Sequence, residues 1–156
     1  MWAWGGGFNG QLGYGGQARR LTPQPVPSLT GVVEIAAGDY HSLARKQDGT
    51  VWAWGYKDYG RDPSPSTGGL RTPQPLPDLT GVAEIAAGFS HSLARKQDGT
   101  VWAWGRNNHG QLGDGSQVNR LTPQPISGLT GVVEIAAGVG LSLARRIAHK
   151  TFVSIT

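Results

Sequence analysis

The 156-residue sequence contains no cysteine, which excludes disulfides, thiolate metal sites and a cysteine nucleophile, and leaves the redox compartment open. It holds no apolar run near the roughly 20 residues needed to span a bilayer as a helix, and its first residues lack a basic stretch followed by an apolar one. A soluble protein with no visible signal peptide and no membrane contact, cytoplasmic by default, is the expectation. Charge imbalance is small: 14 basic against 10 acidic side chains leave a formal +4, much of it in Arg45-Lys46, Arg95-Lys96 and Arg145-Arg146. Pairs so dispersed read as solvated positions rather than as a ring for a polyanion, and nucleic acid is not an expected partner. Glycine and proline are plentiful, at 25 and 10 residues. They recur at fixed positions between apolar runs and read as ordered turns.

Those positions belong to a repeat. "IAAG" begins at residues 35, 85 and 135, and "TPQP" at 22, 72 and 122, a period of 50. Between Leu29–Gly55 and Leu79–Gly105 only Val33/Ala83, Asp39/Phe89 and Tyr40/Ser90 differ. We therefore read residues 1–156 as a single repeat domain with units at about 1–50, 51–100 and 101–146 and a divergent strand at 147–156.

Each unit predicts strands. "VVEIAAG" ends in small residues, "HSLARK" alternates, "DG" is a hairpin signal and "TVWAWG" is a β-rich run stopped by glycine. "TPQP" carries two prolines and suits an edge strand whose missing N–H groups face outward. In "VWAWG", Val51 and Ala53 point to one side while Trp52 and Trp54 point to the other, so both faces need covering. Similar sheets packed face to face around an axis supply that cover, and four short strands per repeat make an all-β protein, a β-propeller of four-stranded blades, about three to the chain. Ala36, Ala37 and Gly38 fit the crowded inner end of a blade, and the tryptophans its wider outer part. A β-helix or solenoid is the alternative, but its rungs are usually shorter than this unit.

"EIAAGDYHSLARKQDGTVWAWG", followed by "NGQLG" or "HGQLG", resembles the RCC1 repeat, named after the regulator of chromosome condensation, from Trp2 to about Arg145. The resemblance implies a propeller, typically of seven blades, in a family that includes guanine nucleotide exchange factors for a small GTPase, chromatin binders, β-lactamase inhibitors and interaction domains. Three repeats are fewer than seven. The strict period also leaves no room for the inserted wedge of the exchange-factor members, nor is there a basic tail for chromatin.

No residue pattern points to catalysis, a metal or a cofactor. His41 and His91 occupy equivalent places where the third unit has Leu141, and are read as structural side chains bonded to a neighbouring turn. "QDGT" offers one carboxylate per loop, too few for calcium, and the glycine-rich "GGGFNGQLGYGG" lacks the lysine of a phosphate loop. Variation against the near-constant scaffold falls instead on loops. Asp39, Tyr40, Tyr56, Lys57, Tyr59, Phe89, Arg106, Asn108 and His109 are the candidate protein-binding residues, because specificity is built on loops and Tyr, Phe and Arg anchor interfaces. Phe8-Asn9 varies in the same way, and residues 60–69, "GRDPSPSTGG", replace the glycine pattern of the neighbouring units.

Three blades leave apolar faces and strand edges uncovered. Another copy of the chain is the expected partner, two sets of three units closing a six-bladed homodimeric ring, alongside an unknown protein ligand. Trp2, Trp4, Leu141, Leu143, Phe152, Val153 and Ile155 are the candidate self-association residues. "TFVSIT", a strand by composition, competes for the place of a partner's "MWAWG". The expected function is a non-enzymatic interaction scaffold. The alternatives are a structural fragment or a recently amplified or engineered repeat set with no ligand, and guanine nucleotide exchange.

Overall fold

The structure, a computed structural model, describes residues 1–56 and 70–147, and every regular element in them is a β-strand. The first sheet has two antiparallel strands, β1 (Trp2–Gly5) and β2 (Arg20–Pro25). A four-stranded blade follows, made of β3 (Val32–Ala37), β4 (His41–Lys46), β5 (Val51–Gly55) and β6 (Leu70–Pro75). A second blade contains β7 (Val82–Ala87), β8 (His91–Lys96), β9 (Val101–Gly105) and β10 (Arg120–Pro125). The last sheet pairs β11 (Val132–Ala137) with β12 (Ser142–Arg146). Within each sheet, spatial order follows sequence order, every strand pairing with its neighbour along the chain.

The local signals act as expected. In the β4–β5 turn, Asp48 Oδ1 accepts hydrogen bonds from Thr50 N at 3.0 Å and Thr50 Oγ1 at 2.6 Å, while Gly49 takes φ +79°. The Thr50 hydroxyl, then its amide, hold the exposed Asp48 carboxyl below the usual range. The proline-bearing β6 and β10 lie at sheet edges.

The core lies between sheets. Leu43, Val51 and Ala53 of the first blade pack with Ile85, Ala94 and Trp104 of the second, and Leu93, Val101 and Ala103 pack with Val132 and Ile135 of the last sheet. On the opposite face of the first blade, Trp54 and Ala44 are covered by Val26 and Leu29. The pleat thus sends alternate residues of β5 to different neighbours. At the inner ends the sheets approach so closely that a Cβ on Gly38 would collide with the Gly88 carbonyl oxygen, and one on Gly88 with that of Gly138.

Polar braces cross the same joints. Glu34 Oε1 accepts from Ile85 N at 3.2 Å and its Oε2 pairs with Arg45 Nε at 2.6 Å; Glu84 repeats this with Ile135 N at 3.3 Å and Arg95 Nε at 2.8 Å. The basic pairs are therefore not simply solvated: Arg45 and Arg95 orient the carboxylates that tie one blade to the next. Lys46 and Lys96 lie 4.1 and 4.2 Å over the Trp52 and Trp102 rings.

Candidate functional site

One end of the two blades carries the loops that leave β3, β5, β7 and β9. Backbone bonds fix them: Tyr56 N donates to Tyr40 O at 2.7 Å, Arg106 N to Ser90 O at 2.8 Å and Phe89 N to Gly138 O at 3.2 Å. On this frame the Tyr40 and Phe89 rings meet edge to face, centroids 5.2 Å apart at 81°, and Tyr56 lies 6.2 Å from Tyr40 at 56°. Together with Asn9 and Arg106 these rings line a hollow of about 260 Å³. All five side chains are half-buried. With its amide oriented to suit its neighbours, Asn108 accepts from Arg106 Nε at 3.2 Å and Nη2 at 3.0 Å, and donates to Asn119 Oδ1 at 3.3 Å, which aims the guanidinium.

Four of the loop residues singled out from the sequence therefore converge, Tyr40, Tyr56, Phe89 and Arg106, with Asn108 as a brace and Asn9, marked by the same variation, as a fifth wall. Two others go elsewhere. Asp39 turns to a separate cavity beside β1, and His109 packs over Gly140 at the far end of the molecule. Lys57, Tyr59 and the segment 60–69 lie outside the described residues, as do Phe152, Val153 and Ile155. Trp2, Trp4 and Leu143 are exposed on the two terminal sheets, and Leu141 is exposed just before β12.

The site is supported by groups whose roles the sequence did not reveal. Asn107 is buried, its Nδ2 donating to Asp114 Oδ1, Ser116 O and Val118 O and its Oδ1 accepting from Leu112 N. These bonds shape the loop between β9 and β10. Asp114 is held well below the usual carboxylate range, first by the Ser116 hydroxyl, then by the Ser116 amide. The histidines differ from expectation. His41 Nε2 bonds Ser92 Oγ of the next blade at 2.8 Å, and His91 Nε2 bonds Ser142 Oγ at 2.9 Å. They join blades rather than brace a turn, because the β4 and β8 side chains at that phase of the pleat face the following sheet. Burial, with His91 nearby, pushes His41 down to about 4; burial also lowers His91. At neutral pH both imidazoles are thus held uncharged in the joints between blades. Among the described residues no group of three His, Asp or Glu side chains gathers to hold a metal.

The regulator of chromosome condensation (RCC1) repeat matches residues 1–45 and 98–145, and a second description of the same repeat matches 32–61 and 82–111. The chain belongs to the RCC1 repeat family. Among curated relatives, the mitochondrial RCC1 domain-containing protein RUG3 of Arabidopsis thaliana is 47% identical over 53 residues, 33% of this chain and 12% of that protein. RCC1 domain-containing protein 1 of Homo sapiens is 40% identical over 53 residues, 33% of this chain and 14% of that protein. Of solved RCC1 propellers, human WBSCR16 superposes with a TM-score of 0.81 at 23% identity over 94% of this chain and 40% of its own. Prp20p of Saccharomyces cerevisiae, described with its binding to Gsp1p and histones, gives 0.77 at 23% over 92% and 38%. The chain is thus built as a β-propeller segment and spans less than half the length of each of these proteins.

Proposed function

We propose that the chain is a non-enzymatic protein-interaction module that self-associates into a ring and grips a partner protein through the hollow bounded by Tyr40, Tyr56, Phe89, Asn9 and Arg106. The observation that carries this reading is where the repeats differ. On a scaffold in which two units are almost identical, the pairs Asp39/Phe89 and Tyr40/Ser90 vary, and two of these residues, Tyr40 and Phe89, meet in one pocket. Aromatic walls with an oriented guanidinium fit an apolar side chain flanked by an acidic one. A protein partner is in keeping with relatives: Prp20p is described with its binding to Gsp1p and histones, and yeast RCC1 (Prp20) with Kap60 bound.

The test is quantitative capture by the immobilised protein and by its Tyr40→Ala/Phe89→Ala variant, with circular dichroism confirming equal folding. At least one protein held by the parent and reduced about tenfold in the variant is expected, the loss of one anchor pair being worth roughly 1–2 kcal/mol or more. Equal capture by both overturns the loop reading and favours a purely structural repeat set.

A further inference from the structure

The two terminal sheets are complementary halves. β1 and β2 superimpose in the repeat on β5 and β6, the outer strands of a blade, and β11 and β12 on β3 and β4, the inner strands. We propose that β11–β12 of one copy and β1–β2 of a second copy form one shared blade, joined along β12 and β1. This rests on the self-association reading and specifies its joint.

The period sets the register. Within the first blade, β4 pairs with β5 as Ser42↔Trp54, Leu43↔Ala53 and Ala44↔Trp52. Shifted by the repeat, the shared blade pairs Ser142 with Trp4, Leu143 with Ala3 and Ala144 with Trp2 of the other copy. The exposed faces are the ones this pairing covers. Ile35 is 60% exposed where its counterpart Ile85 is 6%, Leu143 61% where Leu43 is 0%, and Trp4 60% where Trp54 is 1%. Two cavities mark the sockets. One, of about 580 Å³ between β1 and β3, is lined by Trp2, Ala3, Trp4, Ile35, Gly38 and Ser42, and receives the β11–β12 hairpin. The other, of about 360 Å³, is lined by Leu93, Val101, Gln111, Ile126, Leu129 and Leu143, and receives Trp4 of the second copy.

Hydrogen bonding continues the same pattern. Gln11 O accepts from Ser42 Oγ at 2.8 Å and from Trp54 Nε1 at 2.7 Å. Gln111 O already accepts from Ser142 Oγ at 2.7 Å, and Trp4 Nε1 of the second copy completes the set. Glu134 holds Arg145 Nε at 2.6 Å through Oε2, leaving Oε1 for Ile35 N of the second copy, as Glu34 and Glu84 serve Ile85 and Ile135. At this joint Leu141 stands where His41 and His91 stand in the others, facing Ser42, whose hydroxyl is already committed to Gln11. Two such joints close a six-bladed pair of roughly 33 kDa, twice the 16.5 kDa chain.

The absence of native cysteine makes the register directly testable. Ala3→Cys and Leu143→Cys proteins are mixed and oxidised, with Ala3→Cys plus Ala144→Cys as the control, since Ala144 faces the other side of the strand. Light scattering at micromolar concentration gives the mass of the unmodified protein. The proposal expects roughly 33 kDa in solution, a disulfide-linked pair from the first mixture and none from the second. It also expects a Glu134→Lys variant, altered at an exposed side chain, to fold but to associate about tenfold or more weakly. A 33 kDa particle without the Ala3–Leu143 link overturns the joint and leaves self-association standing. A folded 16.5 kDa monomer overturns both. Larger species bearing the link keep the joint and overturn the six-blade count.

Discussion

His41 shows how one side chain converts burial into a pH dependence. Its imidazole is enclosed between blades, bonded to Ser92 Oγ, with no partner for Nδ1 among the described residues. Its pKa lies at about 4 when folded against 6.5 otherwise, so the unfolded chain takes up the proton first as pH falls. The stabilisation is complete above about pH 6.5, is lost progressively between about 6.5 and 4, and levels below, a swing on the order of 3 kcal/mol. Denaturant unfolding across that range should show the decline. His41→Leu, the residue the third repeat uses, should remove the share of His41 in that decline and leave that of His91, at a cost of about 1 kcal/mol at neutral pH for the stranded Ser92 hydroxyl. The tryptophans supply a second contrast. Trp54 Nε1 donates to Gln11 O, whereas Trp104 Nε1, equally buried, finds no acceptor among the described residues. Trp54→Phe should cost about 1–2 kcal/mol or more, measured by equilibrium unfolding, because it loses the bond to Gln11 as well as part of a buried ring.

Between neighbouring sheets the recurrent element is a glutamate on the inner strand that serves two masters, an arginine on its own blade and an amide on the next. Such a partly buried pair contributes chiefly by leaving no orphan donor. Glu84→Ala should therefore cost about 2–3 kcal/mol, and Glu84→Gln about half of that, since an amide oxygen still meets Ile135 N; thermal or denaturant unfolding of both variants checks the order. The strands themselves were legible in the sequence, for β-branched runs, "DG" turns and prolines act on their own few residues. The glutamate was not, because "VVEIAAG" reveals an acidic residue in a strand but not that its carboxylate reaches over the sheet to a backbone 51 positions away. Assigning Arg45 and Arg95 to solvent failed for the same reason.

For the molecule as a whole, stacking decides what the loops become. The proposed six-bladed pair carries the Tyr40–Phe89 cluster twice, related by the two-fold axis. The equivalent places hold Ser90 with Val139 and Gly140 with Asp39, which bring no aromatic pair together. The ring would thus present two separated aromatic sites and bind a multivalent partner with avidity beyond that of either site. Part of this site could be read from the chain: variation on a constant scaffold marked Tyr40, Tyr56, Phe89 and Arg106. The same variation also marked Asp39 and His109, which the fold sends to other cavities.

The sequence by itself determined the repeat, its period, the strand content and the propeller class, because turn chemistry and the two-residue alternation of a strand are local properties that recur whenever the letters recur. Only the tertiary structure decided which equivalent residues become partners. His41 meets Ser92, Glu34 meets Ile85 and Tyr40 meets Phe89 because each sheet lays one face on the next, so that near-identical segments acquire different neighbours. The opening "MWAWG" is the sharpest instance: its letters match "VWAWG" at 51–55 and 101–105 in all but the first, yet its Trp4 is exposed where the equivalent Trp54 and Trp104 are buried, because burial depends on the sheet that lies against a strand as well as on the strand.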